Sequence, residues 1–338
     1  MGERGVSLKS GERQSCQIPN KRARALFFLL WIFLPLETCL TSWVSANDSP
    51  IWTFDFRDVF YDIAFLNESS AVIVGDRGRV LVSHPKYSNL WSLGDSGTEE
   101  LLTCVSFVDE RRGWAAGHGG VVIHTDDGGW TWRVQRQSSP ENQPLFDIQF
   151  LNSRVGYACG AYDTFLKSTD GGETWTLSAP GWDNIYNSLA FRDEKTGYLV
   201  GEFGTVLRTT DGGASWEHLE LNGFKGSLFG ITLLPHETLL VYGVAGKVFR
   251  SEDGGRHWTD VSVNQDKSLF RGAAHGEVVV LVGASGTRLV STDGGKSFLA
   301  RVEGDFVSFA GVAARPQGGF VCVGERGKIA KLEVPAEQ

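Results

Sequence analysis

Short apolar runs alternate with turns along most of the chain, and residues 145–178 show this pattern clearly. The runs LFDIQFL and VGYACG are separated by Asn152–Arg154, and the shorter runs TFLKS and WTLS each follow a turn. Runs rich in β-branched and aromatic residues that are bounded by turn residues are typical of strands. The pattern therefore predicts four short antiparallel strands in this part of the chain.

The same unit recurs at a nearly constant interval. Each copy contains a glycine, two further residues and usually a second glycine, and successive copies start 42, 43, 41, 42, 40 and 41 residues apart. This period is typical of four-stranded propeller blades, which bury their faces by stacking radially. The sequence therefore predicts an all-β fold, a seven-bladed β-propeller of four-stranded antiparallel blades. The starting glycines are Gly75, Gly117, Gly160, Gly201, Gly243, Gly283 and Gly324.

A second motif, the Asp-box, lies between the third and fourth predicted strands of five repeats. In the copy at Ser168, we expect the Asp170 carboxylate to accept backbone N–H bonds across the turn, and the two following glycines to supply positive φ. Trp175 is expected to cover the hairpin. Since each blade has its own copy, we interpret these aspartates as turn staples, not as catalytic acids or metal ligands. The copies are TDDGGWTW at Thr125, STDGGETW at Ser168, TTDGGASW at Thr209, SEDGGRHW at Ser251 and STDGGKSF at Ser291.

The last repeat stops after its third predicted strand, near Leu332. The segment PIWTFDF, which starts at Pro50, has the character of a strand that follows an Asp-box. We expect residues 51–56 to supply the fourth strand of blade 7, so that ladder hydrogen bonds close the ring.

The first 46 residues differ from the repeats. A basic run, Lys21, Arg22 and Arg24, precedes the apolar run ALFFLLWIFLPL, and a small-residue segment ends at Ala46. This is the layout of a secretory signal peptide. The apolar run is shorter than the roughly 20 residues of a membrane span, and an uncleaved anchor is the alternative. We predict a signal peptide at residues 1–46, a propeller at 47–338 and an exported, periplasmic protein.

The net charge argues against nucleic-acid binding, and the cysteine positions argue against a metal site. The formal net charge is −8, and the predicted leader is itself basic, so the exported part is more acidic still. An acidic chain is poorly suited to binding nucleic acid, because that affinity depends on neutralising phosphates. Cys104, Cys159 and Cys322 lie in apolar runs without metal-ligand spacing, so we expect buried thiols. No metal or cofactor is expected.

The combination GxxGxVxxTxDGGxTW resembles the photosystem II stability and assembly factor family. The resemblance extends from about Trp52 to Leu332 and includes the segments GWAAGHGG and GYLVGEFG. It implies a seven-bladed propeller outside the cytoplasm that holds a newly made membrane-protein subunit, and we expect the protein to be a monomer. Family members carry an arginine-rich patch, whereas the turns of blades 3 to 6 here read AYD, EFG, VAG and ASG. The implied client is therefore a protein, either a photosystem subunit in a thylakoid lumen or part of another envelope membrane complex.

Antiparallel connectivity predicts which residues face a client. The Asp-box turns emerge on one face of the disc, while the G-x-x-G turns and the links between blades emerge on the other. Turn residues gathered around one channel mouth are the best binding candidates. The candidates are Asp76, Arg77, His118, Tyr162, Asp163, Glu202, Phe203, Glu325 and Arg326.

A glycoside hydrolase or sialidase-like enzyme is the alternative function. A sialidase needs several arginines around a carboxylate and a tyrosine paired with a carboxylate base, and other glycosidases need two carboxylates at a suitable separation. Tyr162 with Asp163, or Glu202 with Asp163, are the pairs that the sequence offers. No Arg-Ile-Pro segment lies near the predicted mature start, and we predict a non-catalytic protein.

Overall fold

The computed structural model describes residues 57–84, 87–139 and 141–334. They form seven separate antiparallel sheets, and within each sheet the strands lie side by side in chain order. The first four sheets are complete blades. Blade 1 comprises β1 Phe60–Phe65, β2 Ala71–Gly75, β3 Val80–His84 and β4 Tyr87–Leu93; blade 2 comprises β5 Leu102–Phe107, β6 Gly113–Gly117, β7 Val122–Thr125 and β8 Arg133–Arg136; blade 3 comprises β9 Leu145–Phe150, β10 Gly156–Gly160, β11 Phe165–Ser168 and β12 Thr176–Leu177; blade 4 comprises β13 Tyr186–Phe191, β14 Gly197–Gly201, β15 Val206–Thr209 and β16 Glu217–His218.

The remaining blades repeat this arrangement, with three described strands in the last one. The strand of residues 51–56 that we predicted for blade 7 lies outside the described residues. Blade 5 comprises β17 Leu228–Leu233, β18 Leu239–Gly243, β19 Val248–Ser251 and β20 Thr259–Asp260; blade 6 comprises β21 Leu269–His275, β22 Val278–Gly283, β23 Thr287–Ser291 and β24 Leu299–Val302; blade 7 comprises β25 Phe309–Ala314, β26 Phe320–Gly324 and β27 Ile329–Leu332.

The first strand of each blade lies against the first strand of the next, and β25 of blade 7 returns to contact β1 of blade 1. The described strands therefore surround a central channel, and the predicted seven-bladed propeller is confirmed. In the described part, no helix has the length and hydrophobicity that a membrane span requires.

The core is divided among the boundaries between blades. Seven apolar clusters occur in the described residues, and each combines side chains of two neighbouring blades. Between blades 3 and 4, for example, Tyr157 stacks on Phe191 with ring centroids 3.7 Å apart. Full burial of such a side chain contributes about 1.5–3 kcal/mol. The three predicted buried thiols, Cys104, Cys159 and Cys322, also lie in this core.

The Asp-box turns have the predicted staple geometry. Asp170 accepts hydrogen bonds from the Thr174 backbone N–H at 3.0 Å and from the Thr174 hydroxyl at 2.6 Å. These bonds lower the pKa of Asp170. The tryptophan of this box makes a further contact that the sequence did not predict. Trp175 packs edge-on against Phe150 within the cluster between blades 2 and 3, so the box also ties its blade to the preceding one.

Candidate functional site

One face of the disc carries the turns that join the second and third strands, together with the links between blades; we call it the G-x-x-G face. Six of its turns are single turns of 3₁₀ helix, and the residue in the middle of all seven turns has a left-handed φ between 52° and 60°. The 3₁₀ turns are Asp76–Gly78, His118–Gly120, Glu202–Gly204, Val244–Gly246, Ala284–Gly286 and Glu325–Gly327. The middle residues are Arg77, Gly119, Tyr162, Phe203, Ala245, Ser285 and Arg326.

The glycine before each turn keeps it close to the inner strand. A Cβ atom on Gly201 would lie 2.0 Å from the Ile185 carbonyl oxygen. No side chain fits in that space, so every blade presents its middle residue at the same position relative to the channel.

At the seam between blades 7 and 1, arginines surround a buried carboxylate. The Asp58 side chain is fully buried, and its Oδ1 atom lies 3.0 Å from Arg77 Nη2 and 3.2 Å from Arg79 Nη1. The Asp58 carbonyl accepts a hydrogen bond from the Gly327 N–H in blade 7 at 2.7 Å. The predicted contact residue Arg77, although half exposed, therefore also holds the segment whose backbone contacts blade 7.

The other predicted residues near the seam are more open. Glu325 and Arg326 are exposed in the last turn, and Asp76 is half-buried beside Arg77, at 3.3 Å. A groove of about 640 Å³ runs from Arg77 and Arg79 to the link between blades 1 and 2.

Blade 3 departs from the repeated turn, because Asp163 replaces the second glycine. It adopts a φ of 58°, which aspartate tolerates better than most residues. Its carboxylate accepts hydrogen bonds from the Gly181 N–H at 2.8 Å, the Trp182 N–H at 3.3 Å and the Tyr186 hydroxyl at 2.6 Å. Asp163 therefore fixes the link between blades 3 and 4.

These contacts argue against the Tyr162–Asp163 pair that the enzyme alternative requires. Asp163 bonds to Tyr186, not to its sequence neighbour. Burial, followed by the hydrogen bond to Asp163, raises the pKa of Tyr186. A tyrosine nucleophile requires the opposite shift. Asp163 also has three donors on its carboxylate, which leaves it poorly placed to act as a general base with Glu202.

Three large aromatic side chains are exposed around this link. Tyr162 is 68% exposed, Trp182 44% and Phe203 69%. Tyr162 and Phe203 belong to the predicted set, but Trp182 was missed because it lies in a link and not in a repeated motif. The available signal was the segment PGWDN, whose tryptophan is out of register with the Asp-box tryptophans.

Of the remaining predicted residues, His118 lies away from the link between blades 3 and 4, and Glu202 lies beside it. His118 is exposed in the blade 2 turn, where its backbone N–H donates to the Leu101 carbonyl at 2.9 Å. Glu202 is half-buried, and its carbonyl accepts a bond from Asn184 Nδ2 at 3.3 Å. Among the described residues, no cluster of histidine, cysteine and carboxylate side chains could hold a metal ion.

A charged cluster lies inside the channel, and sequence reasoning did not find it. Arg271 of blade 6 reaches Asp147 of blade 3, with Nη1 and Oδ2 3.0 Å apart. Asp147 also accepts the Ser188 hydroxyl at 2.7 Å. Asp62 accepts the Val105 N–H at 3.0 Å, and burial raises its pKa to about 6.

The signal for this cluster was the register of the first strands. The residue that follows the bulge in each first strand occupies the same position around the channel. The seven residues are Asp62, Cys104, Asp147, Ser188, Gly230, Arg271 and Gly311. Aligning the blades at their starting glycines places the two acids, Asp62 and Asp147, 13 residues before the glycine, but it misses Arg271, which lies 12 residues before Gly283.

A family comparison agrees with this architecture. One family model, Photosynthesis system II assembly factor YCF48, matches residues 83–176, 134–259 and 181–337. The chain belongs to the YCF48 family of photosystem II assembly factors. The YCF48 match includes the exposed aromatic residues of blades 3 and 4 and Arg326, whereas Arg77 lies before it.

Solved YCF48 structures have the same fold as this chain. The structure of YCF48 bound to D1 peptide has a TM-score of 0.70 and 17% sequence identity, and covers 85% of this chain and 97% of its own. YCF48 from Cyanidioschyzon merolae has a TM-score of 0.66 and 14% identity, with coverages of 84% and 98%. The WD40 β-propeller domain of Doa1 has a TM-score of 0.67 and 11% identity, with coverages of 85% and 96%. At these low identities, the three structures show a shared fold and no more. No curated protein matches the chain.

Proposed function

We propose that this YCF48-family protein is a non-catalytic, exported scaffold that holds a protein client on its G-x-x-G face. The observation that carries the proposal is the family match, which extends over residues 83–337. The similar YCF48 structure with a bound D1 peptide supports a protein segment as the ligand. In this proposal the client is a membrane-protein subunit during assembly, and the scaffold acts as a monomer in the periplasm or, in a photosynthetic organism, in the thylakoid lumen.

The contacts of the candidate residues support a binding role over catalysis. Asp163 is occupied by three donors, and the pKa of its partner Tyr186 is raised. The exposed groups of the G-x-x-G face include Arg326 and the aromatic side chains of Tyr162, Trp182 and Phe203. These residue types are enriched in the parts of protein interfaces that contribute most to affinity.

Client capture tests this proposal. Tagged protein is expressed in its native host and purified from solubilised membranes, and the retained subunits are identified by mass spectrometry. We expect Arg326→Glu to reduce the recovery of a specific membrane subunit roughly tenfold. Arg256→Glu is the matched control, because Arg256 is exposed in the Asp-box turn of blade 5, on the opposite face. Equal losses for the two variants, or no specific subunit with the unchanged protein, would contradict the proposal.

The glycosidase alternative is tested in parallel. A panel of glycosides is incubated with the unchanged protein and with Glu202→Gln. Our proposal expects no turnover by either protein. Turnover that Glu202→Gln abolishes would replace the scaffold function by an enzymatic one.

A further inference from the structure

Three exposed aromatic side chains on blades 3 and 4 form what we call the aromatic patch: Tyr162, Trp182 and Phe203. Two of them occupy the middle of neighbouring G-x-x-G turns, and the third projects from the link that joins the two blades. None of the three belongs to the apolar clusters between blades. Exposed apolar side chains of this size, gathered on neighbouring turns and the link between them, mark candidate interaction sites.

The fold itself does not require large side chains at these positions. Tyr162 and Phe203 have φ values of 52° and 56°, a conformation that is unfavourable for bulky residues. The same turn position holds Ala245 in blade 5 and Ser285 in blade 6, with φ values of 54°. Two aromatic residues therefore adopt a strained conformation without gaining burial, which points to a role in binding.

The patch is also held in place before any ligand arrives. Asp163 accepts the Trp182 N–H, and the Glu202 N–H donates to the Ile185 carbonyl at 3.2 Å. Asn184 Nδ2 donates to Thr205 Oγ1 at 2.6 Å. The link is thus fixed to the turns on both sides, so binding would cost little ordering of the backbone.

The charges around the patch indicate what kind of segment it accepts. Asp183 follows Trp182 and is exposed, and Glu202 precedes Phe203. Lys225, in the link after blade 4, is an exposed basic residue near this edge: its Cα lies 3.5 Å from a Cβ atom built on Gly204. Aromatic faces attract cations, and the two acidic groups reinforce that preference.

We propose that the aromatic patch binds a client segment in which a lysine or arginine is flanked by apolar side chains. The inference rests on the proposed function, since it specifies where and how the scaffold holds its client. Apolar residues of the segment cover the exposed rings, while its basic group lies over a ring and near Asp183 or Glu202. An anionic membrane surface is a poorer match, because the same two acids would repel its headgroups.

Fluorescence anisotropy with the full propeller tests the inference. The probes are a short labelled peptide with one arginine between leucine and phenylalanine residues, and its twin with glutamate at the arginine position. We expect Tyr162→Ser/Trp182→Ser/Phe203→Ser to weaken binding of the arginine peptide roughly tenfold or more. The glutamate twin should bind the unchanged protein weakly. Unchanged melting of the variant would show that folding is intact.

Phe306→Ser is the matched control. Phe306 is 67% exposed and has a φ of 55°, but lies in the link between blades 6 and 7. Its substitution should leave peptide affinity unchanged. Equal losses for Phe306→Ser, full affinity in the triple variant, equal binding of both peptides, or no peptide binding would each overturn the inference. So would sedimentation with phosphatidylglycerol vesicles that the triple variant abolishes.

Client capture separates this inference from the proposed function. If the triple variant still retains the specific membrane subunit while Arg326→Glu loses it, the aromatic patch is not the site and the scaffold function stands. If neither variant changes the recovered subunits relative to the unchanged protein, both proposals fail.

Discussion

The two halves of the G-x-x-G face use the same turn position in different ways. At the seam, the middle residue Arg77 pairs with the buried Asp58 side chain of its own blade, and the Asp58 carbonyl accepts a hydrogen bond from Gly327 of blade 7. On blades 3 and 4, Tyr162 and Phe203 at that position project into solvent. The middle residue of this repeated turn therefore does not have the same role in every blade. We infer a structural role where its side chain has a buried partner, and a binding role where the side chain projects into solvent without one.

The largest expected effect is at the seam. Asp58→Ala removes the buried carboxylate that Arg77 and Arg79 share, so that each arginine loses its shorter described carboxylate contact. We expect the free energy of unfolding to fall by about 3 kcal/mol. Chemical denaturation measures this quantity. A loss below about 0.5 kcal/mol would mean that the seam arginines are as dispensable as ordinary surface residues.

The second effect is a pH dependence of stability, caused by Asp62 in the central channel. Burial raises the pKa of Asp62 to about 6 in the folded protein, above its unfolded value near 3.9. The folded state therefore binds the proton more tightly, and the Asp62 contribution to stability falls as pH rises from about 4 through 6. Relative to Asp62→Asn, the unchanged protein should lose on the order of 2 kcal/mol across this range.

Measured unfolding of both proteins at several pH values checks this expectation. The variant should show a flatter pH dependence than the unchanged protein. Parallel curves would show that Asp62 titrates with the same pKa in the folded and unfolded states.

A smaller effect is expected at Asp163, on the opposite half. Asp163→Ala removes the acceptor of three donors and keeps a Cβ in a left-handed turn, at a cost of about 1–3 kcal/mol. Asp163→Gly restores the residue found in other blades and should be less destabilising by about 1 kcal/mol. Thermal unfolding of both variants tests this order. If alanine were tolerated better than glycine, backbone strain would not be part of the cost.

The smallest effect is expected in the aromatic patch. Phe203→Ser should change the free energy of unfolding by less than about 0.5 kcal/mol, because the side chain is 69% exposed and its removal empties no core. Denaturant unfolding measures the change. A loss as large as that of Asp58→Ala would erase the distinction between the two halves.

The sequence predicted the fold because the repeat is local. Glycine spacing gave seven blades, and the Ser168–Asp170–Thr174 staple follows from residues at most six positions apart. The pair of Asp58 and Arg77 lies within blade 1 but joins residues 19 positions apart, and the channel pair joins residues 147 and 271 of different blades. The channel pair depends on how blades are placed around the axis, which no local pattern specifies.

Part of the candidate site followed from the same reasoning. Connectivity placed the turn residues on one face, so the candidates predicted from the sequence include the exposed residues Tyr162, Phe203 and Arg326. It did not show that Asp163 turns back to bind the link or that Trp182 is exposed there. These properties depend on the blade 3 turn, where Asp163 replaces the second glycine. A pattern derived from all seven repeats does not describe what one exceptional residue does.

Site-specific crosslinking tests the central claim, client binding on the G-x-x-G face, most directly. A photoreactive amino acid is placed at Phe203 in one protein and at Arg256, on the Asp-box face, in another, and both are irradiated in cells of the native host. The account predicts that position 203 crosslinks to one membrane-protein subunit and that position 256 does not. The same subunit crosslinked equally from both faces, or from position 256 alone, would contradict it.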